Sequence, residues 1–148
     1  MSGIYRQQQF GRSMIEIIGV LAIMGLMTVA SFALIRNGTA TQKRNTVIDD
    51  VSKIVTGIRS LYADYDNLST LDGEGALDAI AVDEKGPYED SSYSVAKDSS
   101  DNTRFVVTIS GLPKRDCTVL AAKKWSDSVG KSSNCGSGGG SVSITYDK

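Results

Sequence analysis

"FGRSMIEIIGVLAIMGLM", Phe10 to Met27, is apolar enough to enter a membrane, yet a carboxylate, Glu16, stands at the start of its apolar run. From Ile17 to Ile35 the chain then gives nineteen residues without a charge, about the length needed to span a hydrocarbon core of roughly 30 Å. Past Arg36-Asn37-Gly38 the pattern turns amphipathic. Val47, Ile48, Val51, Ile54, Val55, Ile58, Leu61, Tyr62 and Tyr65 recur at steps of three and four, with Asp49, Asp50, Lys53 and Arg59 between them. No proline interrupts Ser13 to Asp66, so the spacing predicts one long helix, on the order of 80 Å, with Asn37-Gly38 as its weakest point.

Composition bounds what such a chain does. It has 148 residues and a net charge of −1, which leaves room for one modest core beyond the apolar segment and gives no basic excess to suggest nucleic acid. Histidine is absent, so catalytic triads, imidazole acid–base pairs and most zinc sites are excluded, and an enzyme here would have to manage without imidazole. The two cysteines, Cys117 and Cys135, lie far apart and outside any C-x-x-C motif. One disulfide in an oxidising compartment fits them better than a metal site or a redox dithiol.

The remainder, residues 67–148, reads as a small α+β domain with an antiparallel sheet. Asn67 to Asp101 is loop-rich, with a short helix expected over Ala76 to Val82. Ser92–Lys97, Arg104–Ser110 ("RFVVTIS") and Val142–Tyr146 ("VSITY") have the β-branched and aromatic content of strands. Between the second and third, Pro113 to Val129 predicts a helix whose apolar face holds Cys117, Leu120, Ala121, Trp125 and Val129, with Trp125 in the core. "GSGGGS", Gly136 to Ser141, reads as a flexible connector. Asp64 to Asp101 holds eleven acids against Lys85 and Lys97. Asp64-Tyr65-Asp66-Asn67 and Asp72-Gly73-Glu74 offer oxygen ligands for calcium, but without EF-hand spacing, and solvated surface is the expected reading.

Three readings compete for the N-terminal segment. A secretory signal peptide would use Arg6 and Arg12, the apolar run and a Ser31-Phe32-Ala33 cleavage site. A signal-anchored protein with a periplasmic binding domain would keep the segment. Neither explains Glu16, because a buried acid costs up to about 3 kcal/mol at a bilayer centre and Leu or Val would serve better.

The third reading makes Glu16 necessary. Gly11 followed by Arg12-Ser13-Met14-Ile15-Glu16 and a long apolar run resembles the cleavage and methylation segment of type IV prepilins and secretion pseudopilins. The resemblance implies cutting between Gly11 and Arg12 by a prepilin peptidase on the cytoplasmic side, methylation of the new amino terminus, and a glutamate fifth in the mature chain. In that family this glutamate is thought to pair with the amino terminus of a neighbouring subunit. Two opposite charges in an apolar bundle attract strongly and an unpaired one is expensive, so the pair fixes one axial register. The family's first mature residue is usually apolar, whereas Arg12 places a guanidinium beside the amine.

"FVVTISGLPKRDCTVLAAKKW", Phe105 to Trp125, is similar to the strand, Gly-Leu turn, cysteine and helix of type IVb pilins. Carried over, Cys117 pairs with Cys135 to bound a C-terminal region on the filament surface, and Gly25 matches the glycine around which family helices lose regular structure. The implied organisation is a leader over 1–11, a transmembrane and filament-core helix over 12–36, its amphipathic continuation over 37–66 and a globular head over 67–148. The implied function is a structural subunit held in the inner membrane and then polymerised into an extracellular pilus used for adhesion, aggregation or conjugation. Its implied partners are further copies of itself, the prepilin peptidase, and an assembly platform with its ATPase. A type II secretion pseudopilin is the alternative within the family. No cofactor is expected; calcium is the one candidate the acidic stretch raises.

Overall fold

The structure, a computed structural model, describes residues 14–148, and of residues 29–34, 36 and 37 the backbone alone. The leader, with Gly11 and Arg12, lies outside the described residues. The chain divides between Thr39 and Ala40 into two compact units. Its elements are α1 (Met14–Leu61), α2 (Gly73–Ala79), β1 (Ser92–Lys97), β2 (Arg104–Leu112), α3 (Lys114–Ala122), β3 (Ser128–Gly136) and β4 (Gly139–Asp147).

The predicted long helix is present as α1, which passes through Gly25 and Gly38 without a break. It ends at Leu61 rather than Asp66. Beyond it Asp64, Asp66 and Asn67 favour turns, and Asn67 Oδ1 accepts the Ser69 amide at 3.0 Å, offering the backbone a partner other than the next helical turn. Among the described residues no helix is long and apolar enough to cross a membrane. The uncharged run whose side chains are described, Ile17 to Thr28, covers about 18 Å at the helical rise. The spanning length expected over 12–36 is therefore not found among the described residues.

In the second unit a four-stranded antiparallel sheet runs in the order β1-β2-β4-β3. Its register explains the core. Tyr93, Ile109 and Val142 lie in one row across β1, β2 and β4, and Val95, Val107 and Ile144 in the next. Phe105 faces Tyr146 in a third, their rings stacked with centroids 5.7 Å apart. All eight side chains are buried and form one apolar cluster with Val47, Val51, Ile54, Val55 and Ile58 of α1, where the amphipathic spacing placed them. Leu61 and Tyr65, expected on the same face, are exposed because the helix ends there. Side chains of opposite parity make the outer face, where Ser92 meets Ser110 at 2.8 Å and Thr108 meets Ser143 at 2.9 Å. One face packed and one wet is the usual condition of an antiparallel sheet.

Three expectations are corrected. The helix predicted over Pro113–Val129 stops at Ala122. Trp125 lies beyond it, and its indole N–H donates to the Leu120 carbonyl at 3.2 Å, joining the Lys123 amide on that last-turn acceptor. It is nevertheless core, 6 % exposed. Val129 belongs to β3 and is exposed. "GSGGGS" is no loose connector: Gly136 pairs with Gly139 across Ser137-Gly138, so the glycines build a tight hairpin between β3 and β4. The sheet thus has a fourth strand, and the short helix predicted over 76–82 sits at Gly73–Ala79.

Gly111 marks where β2 must bend towards α3. Its φ is +68°, and a Cβ there would collide with the Asp90 carbonyl. Left-handed strain plus a backbone collision costs about 2 kcal/mol or more. Gly111→Ala is therefore expected to lower the melting temperature of the head by about 10 °C in thermal unfolding followed by near-ultraviolet dichroism.

Candidate functional site

Two features carry chemical information: the exposed apolar helix in the first unit and the disulfide-bounded region in the second.

Glu16 stands in the first turn of α1, where an acid suits the positive end of the helix dipole. It is exposed, and so are Met14, Ile15, Ile17, Ile18, Val20, Leu21, Ile23, Met24, Leu26 and Met27. These side chains cover the helix all round, with Ile15 81 % and Leu26 74 % exposed. A helix surface apolar on every side favours burial over contact with water. Water is a poor solvent for such a surface, and a contiguous patch of this kind marks an interaction site. Thr28 returns its hydroxyl to the Met24 carbonyl at 2.7 Å, so even this polar group is satisfied within the helix. Around Gly25 a Cβ would meet nothing within 4 Å, leaving its surface open to a neighbour.

The second unit is stapled by Cys117–Cys135, with Cα atoms 5.7 Å apart and 18 residues of separation. The bond ties α3 to β3, a strand that has only Val129 as a strong strand-former. Gly140 lets the strands close over it, since a Cβ there would lie 2.7 Å from Cys117 Sγ and 2.8 Å from Cys135 Cα.

A polar cluster beside Cys117 had no sequence signature. Asp116 is 6 % exposed, and Arg44 Nε lies 3.0 Å from its Oδ1. The same Nε–H donates to the Ala40 carbonyl at 3.2 Å, so the contact with Asp116 is charge attraction more than a directed hydrogen bond. The Tyr88 ring carries Lys43 Nζ 5.5 Å from its centroid. Burial, reinforced by the Asp116 carboxylate, pushes the Tyr88 hydroxyl up to about 12. Tyr93 donates to Asp50 Oδ2 at 3.0 Å and is raised by burial and then by that carboxylate. Burial also raises Tyr146 to about 12. A phenol that holds its proton more tightly folded than unfolded contributes stability that is present below its ordinary value near 10 and fades as pH rises towards the folded value. Melting temperature is therefore expected to fall between pH 10 and 12, with a gentler slope in Tyr88→Phe. Thermal melts across that range read the difference directly.

The acidic stretch does not converge on a metal. Among the described residues no three His, Cys, Asp or Glu side chains gather where an ion could be held. Asp64, Asp66, Asp72 and Glu74 are exposed. Asp98 and Asp101 serve turns instead. The Ser100 amide and hydroxyl hold the Asp98 carboxyl below its usual range, and the Thr103 hydroxyl and amide do the same for Asp101.

Grooves mark the surface of the second unit. One groove is lined by Val55, Arg59, Lys123, Lys124, Trp125 and Tyr146, another by Asp72, Glu74 and Glu84 along β1. The chain matches no protein-family model and no curated protein.

Proposed function

We propose that this chain is a structural subunit, cut after Gly11, that polymerises through its N-terminal helix into a type IV pilus of the IVb kind. It performs no catalysis; the peptidase, ATPase and platform are other proteins. The observation that supports this reading is a helix apolar on every side that begins with an acid. Before assembly the inner membrane shelters that surface. On assembly the helix leaves lipid for a bundle of identical helices, where close packing replaces lipid contacts. There Glu16 meets the amino terminus of a neighbour, and the cost of leaving either charge unpaired selects one axial register. The stapled head remains outside, which suits a small domain exposed to proteases.

Co-expression with a pilus assembly system tests the reading. Filaments sheared from the cell surface are expected to contain the chain. Full retention in the membrane fraction, with none in filaments, would refute it.

A further inference from the structure

Charge differs between the groove beside β1 and the segment leading into β3, although Lys85 and Lys97 also stand at the β1 edge. β1 and β3 are the two edges of the sheet. Along β1 runs a groove rimmed by Asp72, Glu74 and Glu84, all exposed and none ion-paired among the described residues. At the β3 side stand Lys123, Lys124 and Lys131, also without an ion pair there; Lys123 and Lys124 line one groove, and Lys131 Nζ reaches the Lys123 carbonyl at 3.0 Å. Three strand spacings of about 4.8 Å separate the edges by roughly 14 Å. That exceeds the Debye length of about 8 Å at physiological salt, so the two patches do not neutralise each other within one chain.

The basic patch also has an apolar floor. Trp125 and Val55 line its groove, and Lys123 Nζ lies 5.8 Å from the indole centroid. Arg59 in the same groove is already engaged, 3.8 Å from Asp127 and donating to the Asp147 carbonyl at 3.0 Å, which leaves Lys123 and Lys124 as the groove's cations without an ion pair among the described residues. At the acidic edge the first two residues of β1 are already engaged, because the Tyr93 amide donates to the Glu84 carbonyl at 2.7 Å and Lys85 bridges Ser92. The carboxylates of the groove are the groups that recognition would use there.

We propose that the acidic β1 edge of one head receives the basic Lys123–Lys124–Lys131 patch of a second copy. Two different surfaces of one chain make a heterologous contact, which repeats without closing and so propagates a filament. The inference rests on the filament reading and adds to it a second, lateral contact that is sensitive to salt.

Two single-cysteine variants of the full chain, Glu84→Cys and Lys124→Cys, test it in assembled filaments, since both native cysteines are already paired. Co-expressed and oxidised, they are expected to form a mixed dimer that neither forms alone. Glu74→Lys with Glu84→Lys, or Lys123→Glu with Lys124→Glu, is expected to lower sheared-filament yield about tenfold, and all four changes in one chain to restore it. Like-with-like cross-links, or charge reversals that leave yield unchanged, would overturn the proposal while wild-type filaments kept the polymer reading intact. Unchanged yield with loss of duplex DNA retention on reversing Lys123 and Lys124 would assign the patch to a polyanion instead. Absence of wild-type filaments would overturn both readings together.

Discussion

Glu16→Ala is expected to leave the chain inserted in the membrane and processed, while filaments disappear. The substitution removes no apolar contact that packing needs, and alanine is the best helix former. What it removes is charge. Two unit charges about 4 Å apart attract by about 4 kcal/mol at an effective dielectric of 20, and removing one partner leaves the other buried without compensation. The ten large apolar side chains around Met14–Met27 supply adhesion without direction, since they surround the helix and favour no single register. Sheared-filament yield should fall by at least about tenfold, with the membrane pool unchanged. Glu16→Gln should fail similarly, since it keeps the shape and loses the charge. Filaments of normal yield from either variant would show that Glu16 does not set the register.

Cys117→Ser has the second large expected effect. The Cys117–Cys135 bond closes a loop of 18 positions, for which the chain-entropy model gives about 3 kcal/mol. Cys117 is fully buried in the apolar cluster, so a serine hydroxyl there adds the cost of a polar group without a fitted partner. Against a total stability of roughly 5–15 kcal/mol for a domain of this kind, that loss is large. β3 should suffer first, because its exposed, serine-rich strand has little packing of its own. The variant is expected to be degraded by added protease at concentrations that leave the wild-type head intact. Equal resistance would mean that the β3–β4 hairpin holds itself.

Much of this fold is legible in the sequence where one physical signal dominates. The steps of three and four from Val47 to Ile58 place α1's buried face correctly because apolar periodicity and burial coincide there. β1 and β2 are legible for the same reason, at period two. β3 was not. "SVGKSSNCG" lacks the β-branched content of a strand, and its order comes from pairing with β4 and from the disulfide, neither of which is local. A usable signal was nonetheless present, since a glycine-dense segment immediately before a clear strand is a hairpin signature. The end of α3 is not legible because Trp125 and Val129 continue the helical spacing, whereas Lys123 takes an extended conformation and Asp127 a left-handed one with φ +59°. The Arg44–Asp116 pair was invisible because opposite charges 72 positions apart announce nothing until folding joins them. Of the candidate site, the cysteine pairing that the resemblance implied is present, whereas the role proposed for Glu16 rests on its register with Gly11 in the sequence. The acidic and basic edges emerged only when the strand order placed them on opposite sides.

The most direct test of the filament-subunit proposal is the intact mass of the mature chain from cells that carry a prepilin peptidase. A chain beginning at Arg12, and an uncut chain in cells lacking that peptidase, is the expected result. A mature chain beginning at Leu34 would have shed the apolar helix and Glu16 with it, and that result would contradict the proposal.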